Sequence, residues 1–339
     1  MTPPPPPRPG RGSKPPVSNR FRGRSEAARP VPPLVQIGNA LPPAGLATRG
    51  RLPDWLRKPS VHPESVTALK RGLRALNLNT VCESARCPNL NECFHRGQAT
   101  FMILGNLCTR GCGFCSVPKG SPEKREFTLD PDEPENVARM ALAMGLRYVV
   151  ITSVNRDDLS DGGSEHFART VRSVRALLPS AKVEVLTPDF NGDLAAVARV
   201  LDAGPHVFNH NMETVRELYP RVRPQADYAQ SLRVLAFARA HRPDVMTKSG
   251  LMVGLGETAA QVRELLRDLR REGKADVATI GQYLQPTRRN LPVVDYVPPA
   301  VFDSYRDYGL SIGFDMVFSG PFVRSSYMAD KVAAEASAG

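Results

Sequence analysis

The segment Ala99-Thr-Phe-Met-Ile-Leu-Gly-Asn-Leu-Cys-Thr-Arg-Gly-Cys-Gly-Phe-Cys115 joins a strand-like run to a loop of thiols. Its first residues are apolar or β-branched over a length that suits a buried strand, and Gly105 ends the run. Cys108, Cys112 and Cys115 then follow at x3 and x2 spacing. Toward the C-terminus the chain alternates short β-branched runs with amphipathic stretches. Strands are predicted at Ala99–Leu104, Tyr148–Thr152, Val183–Leu186, His206–Asn209, Thr247–Val253, Val277–Gly281 and Phe314–Phe318. Helices are predicted at Glu135–Met144, Glu165–Leu178, Leu194–Asp202, Tyr228–His241 and Ala259–Arg271, where apolar positions recur every three to four residues. Six or seven such βα units predict an α/β fold with a parallel sheet, an open or partial barrel shorter than the eight-unit closed form. Ligands of such folds sit at the C-terminal ends of the strands, so the thiol loop occupies a ligand position.

Working toward the N-terminus, Cys82, Cys87 and Cys93 form a second set at x4 and x5 spacing, and these six are all the cysteines in the chain. Packing cysteines would scatter, and a disulfide scaffold belongs to short secreted chains with a signal. Structural zinc takes four ligands, and only His95 lies within the block. An electron-carrying ferredoxin supplies a fourth cysteine per cluster. Three thiolates hold three corners of a four-iron cluster and leave one iron open.

The net charge of +11 is unevenly placed: residues 1–60 hold 11 Lys/Arg against Glu26 and Asp54, and 15 of the 32 prolines. The rest of the chain is nearly neutral, which argues against a nucleic-acid-binding body. The first 50 residues read as a disordered Pro/Arg-rich tail that buries too little apolar surface to order itself, a docking arm or a targeting peptide. No run approaches the ~18 apolar residues of a membrane span. Reduced thiols favour a reducing compartment, bacterial cytoplasm first and an organelle matrix second.

The Cys-x3-Cys-x-aromatic-Cys loop after the first strand resembles the radical S-adenosylmethionine superfamily, with Phe114 as the aromatic residue. The motif Cys82-Glu-Ser-Ala-Arg-Cys-Pro-Asn-Leu-Asn-Glu-Cys93 narrows the resemblance to the lipoyl synthase family. So do Thr152–Gly163, Phe208–Val215, Lys248–Glu257, Gln282–Pro286 and Arg324-Ser-Ser-Tyr327. The similarity spans residues 51 to about 331, with Gln98 and Met328 as small departures where threonine and histidine are expected.

The resemblance implies a partial (β/α)6-type barrel over 98–320. An extension over 51–97 would carry an auxiliary cluster motif, and a C-terminal segment over 321–339 would help to cover that cluster. It implies two [4Fe-4S] clusters, S-adenosylmethionine, and insertion of two sulfur atoms at carbons six and eight of a protein-bound octanoyl-lysine. A radical enzyme inserting sulfur into a small molecule is the alternative. Cys108, Cys112 and Cys115 would hold the cluster that binds S-adenosylmethionine, and Cys82, Cys87 and Cys93 the auxiliary one. A serine of the C-terminal motif would be the auxiliary cluster's fourth ligand, placed on Ser325 with Ser326 as the alternative, and Arg324 beside it would serve the reaction. Phe114, Thr152, Ser153, Asn209 and Glu213 would contact S-adenosylmethionine, with Asn211 in the same turn. Implied partners are octanoylated carrier domains of 2-oxoacid dehydrogenase acyltransferase subunits and of the glycine-cleavage carrier protein, and an electron donor such as ferredoxin or flavodoxin. His210 reads as a satisfied core histidine.

Overall fold

The computed structural model describes residues 52–57, 63–96, 98–120 and 129–326. The Pro/Arg-rich tail, Tyr327 and the chain after it lie outside the described residues. The elements run α1 (Pro63–Ala75), β1 (Asn79–Thr80), α2 (Val81–Ser84), α3 (Leu90–His95), β2 (Thr100–Ile103), α4 (Glu133–Ala143), β3 (Tyr148–Ser153), α5 (Ser164–Leu177) and β4 (Lys182–Leu186). They continue α6 (Leu194–Asp202), β5 (Val207–Asn209), α7 (Tyr219–Val222), α8 (Tyr228–His241), β6 (Met246–Val253), α9 (Ala259–Arg271), β7 (Val277–Gln282), α10 (Pro299–Ser311) and β8 (Met316–Gly320).

Strands β2 to β8 pair in sequence order and all in parallel, as helical crossovers require, while β1 adds antiparallel to the β2 edge. The expected partial barrel and its seven strands are present, with ends shifted by one or two residues. Helix α10 was not anticipated. Proline at its first position fits the helix start, where no amide hydrogen is needed, and Phe302, Tyr305 and Gly309 supply its buried face. Among the described residues no helix is long and apolar enough to cross a membrane.

Strands buried on both faces explain the near-continuous apolar runs: every residue of β7 is buried. Leu104, at positive φ, turns the chain out of β2 toward the thiol loop. Its amide donates to the Glu133 carboxylate at 2.8 Å, which also meets His166 Nε2 at 2.8 Å. Residues 321–326 lie against β7 and the α2–α3 region. Gly281 has no substitute there, because a Cβ would strike the Val323 carbonyl. Asn89 Nδ2 donates to the Phe322 carbonyl at 2.8 Å from the other side.

Candidate active site built on two cysteine triplets

Cys82 lies in α2, started by Thr80 accepting the Glu83 amide, and Cys93 lies in α3. The antiparallel β1–β2 register, Thr80 opposite Phe101, ties this extension to the barrel. Cys82, Cys87 and Cys93 line one small cavity together with Asn89, Thr100, Tyr148, Arg324 and Ser326. All six cysteines are free. Burial pushes the Cys82 thiol up to about 12, with Cys87 and Cys93 adding to the rise. Among the described residues no three His, Cys, Asp or Glu side chains converge on a single-ion site.

Cys108, Cys112 and Cys115 line a second cavity of about 230 Å³ at the C-terminal ends of β2 to β5. Burial pushes Cys115 up to about 12 and raises Cys112. Metal ligation draws the proton from a buried thiol, and three thiols in one loop suit a polynuclear iron centre with one iron left open. The loop is braced by charge. Arg110, buried, meets Asp157 at 2.8 Å and Asp189 at 2.7 Å. Burial works against the Asp189 charge, but Arg110 overrides it and holds the carboxyl at about 2. Asn290 Nδ2 donates to the carbonyls of Gly113 and Cys115 at 3.3 and 2.9 Å.

A third cavity, about 330 Å³, reaches both triplets: Cys82 and Cys87 at one part of its wall, Cys115 and Phe114 at another. Leu186, Leu251, Met252, Tyr283 and Val323 give much of the wall an apolar character, and Ser325, Ser326 and Arg324 complete it.

The structure gathers several of the expected residues at the two larger cavities. Phe114 and Glu213 line both larger cavities, and Thr152 and Ser153 line the second-triplet cavity. Thr152 donates its hydroxyl to the Leu186 carbonyl at 2.7 Å, whereas Ser153 Oγ is buried without a partner. Burial raises the Glu213 carboxyl, opposed by Arg223 and by an amide hydrogen bond from Asn211 at 3.0 Å. Arg324 lines the first triplet's cavity together with Cys87, and its Nη1 donates to the Val323 carbonyl at 2.6 Å.

Two placements need correction. Asn209 ends β5 with its side chain inside the barrel, where Nδ2 donates to Glu184 at 3.1 Å and the residue lines none of the three cavities. Glu184 is also ion-paired with buried Lys248 at 3.0 Å and accepts from Tyr148 at 2.7 Å. Strand alternation sets this inward direction, and Asn211, beyond the strand end, reaches both larger cavities instead. The second correction concerns the serines. Ser325 exchanges hydrogen bonds with Asn211, at 2.7 and 3.0 Å, under Gly250. Ser326 faces the first triplet's cavity and accepts from Thr100 at 2.9 Å. Both serines line the larger cavity that holds Cys82 and Cys87, and of the two only Ser326 also lines the small cavity of the first triplet.

Other roles escaped the sequence. Arg110 was visible in the motif but not as a clamp. Arg223 lies buried in the second-triplet cavity, holding the carbonyls of Asn211 and Met212 at 2.9 and 3.1 Å. Gln282 is a latch, its amide donating to the carbonyls of Val253, Tyr283 and Asp295. In the turn from Gly254 to Gly256, the amides of Gly254 and Leu255 donate to the Glu257 carboxylate. His210 is only half satisfied: Nδ1 meets the Thr187 carbonyl at 2.9 Å, and Nε2 has no partner.

A family model described as the radical SAM superfamily matches residues 102–269, and one described as the N-terminal domain of lipoyl synthase matches residues 43–87. The lipoyl synthase of Thermus thermophilus is 52% identical over 84% of this chain and 87% of its own length. That of Methylococcus capsulatus is 52% identical over 94% of each. Among solved structures, methylornithine synthase aligns with a TM-score of 0.45 at 17% identity, over 64% of this chain and 70% of that one. Two thiol triplets on one cavity, and relatives identical at half their positions along nearly their whole length, place this chain in the lipoyl synthase family of radical SAM enzymes.

Proposed function

We propose that each triplet holds one four-iron cluster and that the chain inserts sulfur at carbons six and eight of an octanoyl group carried on a lysine of a lipoyl carrier domain. The observation that supports this most is the cavity lined by Cys82, Cys87 and Cys115 together, since one acyl chain within it meets both triplets. When bound, S-adenosylmethionine and the two clusters supply a carbon radical strong enough to take hydrogen from an unactivated C–H bond, and the sulfur that replaces it. No histidine or carboxylate on the cavity wall can remove such a proton, because the C–H bond is far too weakly acidic.

The protein's own contribution is binding, orientation and exclusion. Leu251, Met252, Tyr283 and Val323 give the acyl chain an apolar wall and keep water away. Phe114 borders both the acyl cavity and the cavity proposed for S-adenosylmethionine. In the latter, Thr152, Ser153, Asn211 and Glu213 offer hydrogen-bonding groups, and the Arg223 guanidinium supplies positive charge suited to a carboxylate. Ser326 is assigned as the fourth ligand of the first triplet's cluster, an oxygen donor weaker for iron than thiolate and therefore the easier one to release. Arg324 lies beside Cys87, where its charge offsets that of the thiolates.

The carriers in this reading are acyltransferase subunits of 2-oxoacid dehydrogenases and the glycine-cleavage carrier protein, and the reductant is a ferredoxin or flavodoxin. The six free cysteines favour a reducing compartment, the bacterial cytoplasm.

Anaerobic reconstitution tests the assignment: about eight irons per chain are expected, four for each triplet. Dithionite and S-adenosylmethionine should then yield 5′-deoxyadenosine, and an octanoylated carrier peptide should gain two sulfurs by mass. Nucleoside release without any sulfur gain by the peptide would overturn the substrate assignment.

A further inference from the structure

Thr100 is the first residue of β2, buried and paired with Val150 of β3, and it lines both the first triplet's cavity and the larger acyl cavity. Thr100 adjoins two members of the first triplet's surroundings: its hydroxyl donates to Ser326 Oγ at 2.9 Å, and Cys82 lines the same two cavities.

The two neighbours come from segments with little regular structure of their own. Cys82 sits in a helix of four residues, and Ser326 follows the last strand on an irregular stretch. A serine on such a stretch has three staggered rotamers open to it, and a donor fixed on a sheet selects one. A hydroxyl oxygen has two lone pairs, so accepting from Thr100 occupies one and leaves the other for a metal. The same strand leads directly into the loop of Cys108, Cys112 and Cys115, so β2 is a common reference for both triplets.

Resting on the reading of Ser326 as an iron ligand, we propose that Thr100 is a positioning residue that orients Ser326 toward the first triplet's cluster. Groups that hydrogen-bond to a metal ligand fix its direction, and their loss lowers metal retention by about 10- to 100-fold.

The test uses the reconstituted holoenzyme and three variants, Thr100→Val, Thr100→Ser and Ser326→Ala, read by Mössbauer spectroscopy and by the rate at which a chelator removes iron. Valine keeps the branched shape that suits β2 and removes only the hydroxyl. Thr100→Val should alter the signal of the oxygen-ligated iron and speed iron loss from the first triplet by about tenfold. Thr100→Ser should restore both. Iron held by the second triplet should match the unaltered protein in all three, which reports an intact fold. A wild-type spectrum and wild-type iron loss in Thr100→Val would overturn the inference, as would failure of Thr100→Ser to restore what valine removes. Ser326→Ala separates the two readings. If that variant leaves the spectrum unchanged, the ligand assignment itself has failed; if it changes the spectrum while Thr100→Val does not, only the role of Thr100 falls.

Discussion

The two triplets open on one cavity but are held by different physics. Cys108, Cys112 and Cys115 follow β2, the first of the parallel strands, and their loop is braced by buried charge, Arg110 against Asp157 and Asp189. Cys82 and Cys93 lie on short helices outside the barrel and Cys87 on the connection between them, and the C-terminal segment beside them is held by neutral hydrogen bonds, Asn89 to Phe322 and Thr100 of β2 to Ser326. Breaking a buried ion pair strands a charge and costs several kcal/mol, whereas a neutral hydrogen bond contributes about 1 kcal/mol. The second triplet is thus built as a permanent fixture, and the first as a site whose closing segment can be displaced at low cost.

The most drastic way to break this comparison is to remove one thiol from each side. Cys115→Ala should abolish both 5′-deoxyadenosine formation and sulfur insertion. Cys87→Ala should abolish only sulfur insertion and leave nucleoside release within about twofold, since the second triplet keeps all its ligands. Equal loss of both products in the two variants, followed by chromatography and mass spectrometry, would erase the distinction.

The next effect concerns stability. Arg110→Ala leaves Asp189 buried and unpaired and should lower unfolding free energy by about 3–5 kcal/mol in anaerobic urea titrations. Asn89→Ala, on the first triplet's side, should cost about 1–2 kcal/mol. A reversed order would contradict the division between charged and neutral bracing.

The two adjacent serines sharpen the comparison further. Ser326→Ala should lower the rate of sulfur insertion by about 10- to 100-fold, as loss of a ligand or its close support does. Ser325→Ala removes only the Asn211 contact and should cost less than about threefold, the scale of one exposed or half-buried hydrogen bond. Single-turnover assays with an octanoylated peptide distinguish the two.

The smallest effect is a pH dependence on the second triplet's side. Burial, then the positive charge of Arg223, lowers His210 from 6.5 to about 4. Between those values the unfolded chain holds a proton that the native one does not. Stability therefore rises with pH through this window and is lost as pH falls from 6.5 toward 4. The unaltered protein should lose about 1 kcal/mol more than His210→Gln over the first unit below pH 6.5. Parallel urea titrations of the pair at both pH values check this, because acid effects on the clusters are common to the two.

Much of the fold was legible because parallel strands covered on both faces must be apolar throughout and the helices between them must be amphipathic. Helix Leu194–Asp202 is an example, since Asp193 caps it and Ala196, Val197, Val200 and Leu201 form its buried face. The site was legible where chemistry and spacing coincide, in the six cysteines. Asn209 was misplaced although the predicted strand ends where β5 does, because the sequence does not say that this last strand residue turns its side chain to Glu184 within the barrel. Arg110 was legible as a residue but not as a clamp, since Asp157 and Asp189 come from loops after two other strands.

By itself, then, the sequence determined the βα alternation, the two sets of three thiols and the family, because periodicity and ligand spacing are local properties. The tertiary structure alone decided that Ser326 lines the first triplet's small cavity and that Ser325 pairs with Asn211. Those choices depend on how residues 321–326 lie against Gly281 and Asn89, contacts between segments far apart in the chain. A side chain's direction there follows from packing rather than from its neighbours in sequence.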